Sequence, residues 1–456
     1  MVMGDMEMSV ELLVIGGGPA GQAAALEAAA RGIDVCLIEP ETEPGRHRFM
    51  IREFHSLYSQ LAKVRLATAF TDSISLSSIF ARMTKACENK LAAQAVTDRE
   101  RILHNNILLL SGRASFIDAH TVRLVGAEVD RLRFKYCIIA TGTVEKDFQG
   151  TYEQSEKIVT TASALDTPSD STRILVVGGG LDGLEIGCLL SQFGNTVELV
   201  EQHESVLPEA DSDLVRILLN RSQLTFRLQT CLTRLQEQEN GVEAFFTTTQ
   251  GPKHNVYDHV ILAGGREADT RSLNLNAASI TPAPDGSLTV NAELRTEVPH
   301  IFAIGGVTNP AQQTHTGIYQ GRIAAEIIAG KHVAFEPVAV PTIVCTLPPL
   351  AWCGLTEKAA KKKHIEYQTQ RYFWPLSAQE KENSDTAGLT KLLLDPVSSR
   401  ILGAGIVGDN SLEAVGEMTF AIEMAAFAED LAHSIHPQGS VAATLAQAAT
   451  TRPTTP

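Results

Sequence analysis

The sequence predicts an α/β protein built from two copies of one strand–turn–helix–strand unit, followed by a C-terminal α+β domain. Three observations carry this expectation. Val14 to Glu39, VIGGGPAGQAAALEAAARGIDVCLIE, and Val176 to Glu201, VVGGGLDGLEIGCLLSQFGNTVELVE, share one design over 26 residues. In each, an apolar strand runs into three glycines and a helix, and the next strand ends on an acid 23 positions after the first glycine. Each unit is followed later by a buried-type strand entering another glycine turn, FKYCIIATGT (Phe134 to Thr143) and YDHVILAGGREADT (Tyr257 to Thr270).

The composition supports a large folded core. At 456 residues, with 44% hydrophobic and 20% charged residues, the chain has room for about three domains of roughly 150 residues. A net charge of -15 disfavours nucleic acid or an anionic membrane as a partner, because phosphate binding needs a basic stripe. The one basic run, Lys361 to Lys363, reads as a solvated helix end. The apolar start LLVIGGGPAGQAAALEAAA is broken by Gly16 to Gly18, Pro19 and Glu27 and has no basic segment before it, so neither a signal peptide nor a membrane span is expected and a cytoplasmic protein is. Seven cysteines, the nearest two eight positions apart, form no close pair. Reduced thiols are therefore expected, with no disulfide framework and no metal site.

The glycine spacing has a chemical reason. Gly16 and Gly178 permit the tight turn, Gly18 and Gly180 let backbone approach a pyrophosphate, and Gly21 and Gly183 let helix and strand pack closely. Pro19 and Ala20 open the first helix, whose N-terminus carries about +0.5 of a charge toward an anion. Glu39 and Glu201 stand near the expected offset of about 20 residues to hold an adenosine ribose. Glu201 also reads as an ordinary solvated strand-end acid. No Lys or Arg lies between Val197 and Asp213 to receive a 2'-phosphate, which favours NADH over NADPH at the second unit. Thr141, Gly142 and Gly265 belong to the two later turns. Both units are thus Rossmann-like dinucleotide-binding domains in expectation.

On these motifs, together with HIFAIGGVTNPAQQTHTGIYQGRIAAEIIAG (His300 to Gly330), the chain resembles the flavoprotein disulfide reductases, with their glutathione reductase-like fold. It is most similar to the dihydrolipoamide dehydrogenase, mercuric reductase and soluble transhydrogenase group. PTIVCTLPPLAWCGLTEKAA (Pro341 to Ala360) and Ile401 to His436 resemble that family's dimerisation domain. The resemblance implies FAD on the first unit, NADH on the second, and a homodimer. It implies an FAD domain in two parts, 1–148 and 273–336, an NADH domain over 149–272, a dimerisation domain over 337–450 and a disordered tail over 451–456. It also adds Glu185 and Arg266 as NADH contacts; the lesser alternative for each is a plain helix-surface charge or turn residue.

The family's catalytic pieces are missing. Its cysteine pair falls on Arg48 and Glu53, and its flavin-adjacent lysine on Leu57; no cysteine lies between Cys36 and Cys87. Its histidine–glutamate pair falls in IHPQGSVAATLAQAA (Ile435 to Ala449), where the histidine becomes Gln438 or, if His436 is the match, the acid becomes Val441. No Asp or Glu follows Asp430, so this stretch cannot supply a carboxylate to orient a histidine. The family's ribityl-holding aspartate is Gly306, which together with Leu57 weakens FAD binding in expectation; a lost charge-assisted hydrogen bond costs about 1.5–3 kcal/mol. Arg48, Glu53, His47 and His436 are the catalytic candidates left, and Arg48 with Glu53 reads also as a compensated pair filling a vacated site. The function expected is NADH-driven FAD chemistry without a thiol, delivering electrons to a small-molecule acceptor. The alternative is a non-catalytic nucleotide-binding homologue acting as a sensor or assembly subunit, with dihydrolipoyl dehydrogenase third.

Overall fold

The computed structural model describes residues 7–40, 53, 54, 57, 76–126, 129–148, 150, 152, 155–166, 172–376 and 386–454. His47 and Arg48, the linker residues 167–171 and the polar loop residues 377–385 lie outside this set. The chain divides into two compact units.

The first unit comprises Met1–Arg46, Glu88–Asp147 and Gly265–Glu336. Its sheet runs Leu108–Ser111, Val35–Glu39, Glu7–Ile15 and Arg131–Ile139, all parallel. One edge of Arg131–Ile139 serves two partners: its start pairs antiparallel with Thr121–Val125, and its end pairs parallel with Ile301–Ala303. Side-chain alternation divides the central strand between two cores. Leu13 and Ile15 face Cys36, Ile38, Phe116 and Ile139, while Leu12 and Val14 face Val35, Leu37, Phe302 and the helices Pro19–Ala30 and Thr314–Ile328. Those helices approach closely because Gly321 lacks a side chain; a Cβ there would lie 2.5 Å from the Ala20 carbonyl oxygen.

The second unit comprises His47–Cys87, Phe148–Gly264 and Pro337–Pro456. The repeat forms a parallel sheet ordered Thr225–Arg227, Thr196–Val200, Arg173–Val177, His259–Leu262, Ile158–Thr160. A three-stranded antiparallel meander covers Thr230–Tyr257. The C-terminal part is a five-stranded antiparallel sheet, ordered Thr342–Val344, Leu350–Gly354, Ile401–Val407, Gly388–Leu394, Gln368–Trp374. Its core includes Met418, Leu431 and Leu445 from the helices Val415–Glu423, Ala428–His433 and Ala443–Ala449. The expected disordered tail is paired as far as Thr454, which exchanges two 2.8 Å backbone hydrogen bonds with Thr369. Among the described residues no helix is long and apolar enough to cross a membrane.

Candidate functional site

The two glycine turns have nearly the same geometry. Gly16 has φ +118° and Gly178 φ +115°, a region L-residues rarely adopt. A Cβ on Gly16 would lie 2.3 Å from the Ala140 carbonyl oxygen, and one on Gly178 2.3 Å from that of Ala263. These contacts press each turn against the strand that the sequence placed next to it. Gly21 and Gly183 pack equally tightly, with Cβ positions 1.9 Å and 2.0 Å from the carbonyl oxygens of Gly16 and Gly178. At Gly18 and Gly180, by contrast, a Cβ would meet nothing within 4 Å. No side chain caps the helices Pro19–Ala30 or Leu181–Ser191. An open glycine at an uncapped helix start is what a pyrophosphate needs.

The two starts differ in charge. The first turn of Pro19–Ala30 carries no acid, whereas Leu181–Ser191 has the buried Asp182 in its first turn. A carboxylate there is attracted to the same positive helix end and competes with a phosphate.

Both strand-end acids lie beside their turns. Glu39 is partly buried, and burial pushes its carboxyl up while Arg99, with Nη1 3.5 Å away, opposes the shift. Arg99 comes from the helix Leu76–His104 and was not legible as a neighbour of Glu39. Glu201 accepts a 2.7 Å bond from the Gly179 amide through Oε2 and a 2.9 Å bond from the His203 amide through Oε1. The solvated-acid alternative therefore does not describe Glu201, whose side chain is 11% exposed.

Near the first turn, the hydroxyls of Thr141 and Thr316 are buried without a hydrogen-bond partner among the described residues. Buried polar atoms are rarely left so, and orphaned hydroxyls in this unit fit a bound polar ligand. Gly142 has φ +73° and an open Cβ position. Gly306 is different: a Cβ there would lie 2.7 Å from the Thr143 methyl, so an aspartate cannot enter without moving Thr143.

Arg266 and Glu185 have other partners. Arg266 donates from Nε to the Thr143 hydroxyl at 2.6 Å and from Nη2 to the Thr143 carbonyl at 2.7 Å, next to Gly265 at φ +92°. Glu185 is buried, which corrects the helix-surface reading, and its Oε1 accepts a 2.8 Å bond from the Cys345 amide.

The thiols are chemically quiet. None of the seven cysteines is in a disulfide, and six are buried. Burial pushes Cys36, Cys188 and Cys353 up to about 12 and Cys137 well above its ordinary value. Thiolate, the reactive form, is thus suppressed. In the native protein a disulfide-exchange reagent should titrate only the exposed Cys231, with the others reacting after denaturation; two or more rapid equivalents would contradict this.

In the segment where the resemblance places the family's cysteine pair and lysine, Glu53 and Leu57 are partly buried and Phe54 is fully buried. The Phe54 ring lies 5.0 Å from Phe80 and 5.6 Å from Phe193, fixing part of this segment as core. His436 does meet a carboxylate, from outside its own stretch. Its Nε2 lies 2.8 Å from Glu417 Oε1 and its Nδ1 2.9 Å from the Ser434 carbonyl oxygen. With its side chain 8% exposed and an oxygen within reach of each ring nitrogen, His436 reads as a satisfied structural residue.

The family description "Pyridine nucleotide-disulphide oxidoreductase" matches residues 10–321, and that family's dimerisation domain matches 340–449. Dihydrolipoyl dehydrogenase of Haemophilus influenzae is 30% identical over 459 residues, covering 94% of this chain and 92% of that protein. The Vibrio cholerae protein of the same name is 30% identical over 444 residues, covering 94% and 93%. Among solved structures, the Cu(II) complex of a cysteine-to-serine mutant of RclA, the HOCl-induced flavoprotein disulfide reductase of Escherichia coli, superimposes with a TM-score of 0.83 at 22% identity, covering 97% of this chain and 99% of that one. The fold is glutathione reductase-like. From its glycine turns to its C-terminal sheet, the chain belongs to the pyridine nucleotide-disulphide oxidoreductase family.

Proposed function

We propose that this chain is an NADH-dependent FAD oxidoreductase that works without a redox disulfide. The family typically binds FAD and NAD(P)H. The observation that carries the proposal is the pairing of two open, uncapped glycine turns with seven cysteines outside any disulfide, six of them buried. Bound FAD would supply the two-electron chemistry, taking a hydride from NADH and returning two electrons to the acceptor. Gly16, Gly18 and Gly21 shape the seat for its pyrophosphate, Glu39 holds the ribose, and Thr141 offers a hydroxyl with no hydrogen-bond partner among the described residues. Gly178, Gly180, Gly183 and Glu201 do the same for NADH. Residues 1–148 and 273–336 would form the FAD domain, 149–272 the NADH domain and 337–450 the dimerisation domain.

The acceptor would be small and reducible directly by flavin: a quinone, a metal ion, a nitro compound or oxygen. Lipoamide chemistry by a cysteine pair is disfavoured because no cysteine lies between Cys36 and Cys87. A homodimer through the C-terminal domain is supported by the family match and by Phe420 and Met424. They are 66% and 65% exposed and four positions apart, on one face of a helix end.

The test is spectroscopic. Purified protein is expected to be yellow, NADH to bleach the flavin absorbance anaerobically, and turnover with a quinone to survive alkylation of accessible thiols. Colourless protein that FAD does not reconstitute would sink the proposal; loss of turnover on alkylation would sink its thiol independence. The second reading, a nucleotide-binding homologue without turnover, draws on Asp182, whose charge opposes a dinucleotide phosphate at the second helix start.

A further inference from the structure

Lys391 is buried in the C-terminal sheet with its side chain 1% exposed. Its Nζ lies 2.9 Å from Asp211 Oδ2 and 3.0 Å from Asp213 Oδ1, and it also pairs with Glu357. Arg371 closes the network, with Nε 2.8 Å from Asp213 Oδ2 and Nη2 2.8 Å from Glu357 Oε1. Carboxylate oxygens of Asp211, Asp213 and Glu357 lie within 4.8 Å of one another, a grouping that could hold a metal ion. Here the ammonium group is the cation.

What the network holds is the far end of a loop laid on the second glycine turn. The loop begins at Glu201, whose carboxylate accepts from the Gly179 amide at 2.7 Å. It continues through the buried Val206 and Leu207, and the Leu207 amide donates to the Gly179 carbonyl oxygen at 3.4 Å. A Cβ on Gly179 would lie 2.6 Å from Val206 Cγ1, so the loop and turn are in direct contact. Leu207 is held at φ +45°, a conformation that needs support from its surroundings. That support comes from the C-terminal part of the unit. Lys358 Nζ donates to the Pro208 carbonyl oxygen at 3.1 Å, the Glu357 amide donates to Asp211 Oδ1 at 2.8 Å, and Lys391 neutralises both aspartates.

We propose that Lys391 is a positioning residue for the dinucleotide at the second glycine turn: it fixes the loop from Glu201 to Asp213 against Gly179 without touching the ligand. The inference rests on the assignment of NADH to that turn. Removing Lys391 leaves three crowded carboxylates, whose repulsion pushes the loop end outward and loosens Glu201 and Val206 from the turn. The first turn, in the other unit, has no part in this, so FAD affinity stays unchanged.

The experiment uses the full chain with FAD bound, wild type and Lys391→Ala, and reads NADH affinity by fluorescence titration with and without Mn2+. Lys391→Ala should weaken NADH binding about tenfold at unchanged FAD content, a size typical for residues acting through packed neighbours. Mn2+, which suits carboxylate ligands, should restore the affinity of the variant by taking the place of the ammonium group, and should do nothing to wild type. A purely structural role would not give this selective rescue. Wild-type protein that fails to bind NADH overturns the assignment of the turn together with the inference. Wild type that binds, with a variant that binds equally or is not rescued, overturns the inference alone. If Lys391→Ala does not fold, Asp213→Asn replaces it. Weaker NADH binding at unchanged FAD content supports the inference, and unchanged NADH binding overturns it.

Discussion

Gly16→Ala should yield protein that has lost its FAD, and Gly178→Ala should yield yellow protein that no longer binds NADH. Both glycines sit at strongly positive φ, and both would drive a Cβ to 2.3 Å from a carbonyl oxygen of the neighbouring strand. Backbone strain alone costs about 1–3 kcal/mol, and the clash is relieved only if the turn lifts off its strand. Each affinity should therefore fall by at least about a hundredfold. Because Ala140 and Ala263 belong to different compact units, the two losses should be separable. The check is flavin retained after desalting, together with NADH fluorescence titration of each variant. If both variants keep both cofactors, the turns are not the binding sites.

Lys391→Met should lower the stability of the folded chain by about 3–5 kcal/mol, the usual consequence of leaving buried charges without their partner. The pH dependence has a definite sign. Burial raises the Asp213 and Glu357 carboxyls, but Lys391 together with Arg371 and hydrogen bonding outweighs it, and both end below their ordinary 3.8 and 4.5. Their stabilising contribution is complete above those values and is lost as pH falls through the lower folded ones. Lys391, raised above 10.5 because its three acids outweigh burial, contributes fully below that value and loses its contribution as pH rises through the higher folded one. Asp211 runs the other way: burial outweighs Lys391 and raises its carboxyl, so its ionisation destabilises the fold. Denaturant melts across pH should therefore show a shallower acid loss in Lys391→Met than in wild type. An equally steep loss would mean that other carboxylates control acid unfolding.

The turns were legible because their constraint is local. A positive φ beside a close carbonyl excludes every side chain, so Gly16 and Gly178 announce the geometry by identity. Strand positions such as Leu12 to Ile15 were legible for a related reason, since burial on both faces leaves an unbroken apolar run. Contacts between distant segments were not. Lys391 reads as an ordinary strand lysine until tertiary packing brings it to Asp211, 180 positions earlier. Glu417 lies 19 positions before His436, on the helix Val415–Glu423, so the stretch around the histidine could not reveal its carboxylate. Glu185 kept a motif position whose spacing does not disclose that its oxygen is taken by the Cys345 amide.

The contact between Gly306 and Thr143 couples what can occupy the two positions. An aspartate at 306 would meet the Thr143 methyl at its first side-chain carbon. Thr143 is in turn held by Arg266 through both its hydroxyl and its carbonyl. An aspartate introduced at 306 alone therefore has to displace Thr143 and strain its bonds to Arg266, whereas one introduced together with a smaller residue at 143 does not: the two positions form one steric unit and are exchanged as a pair.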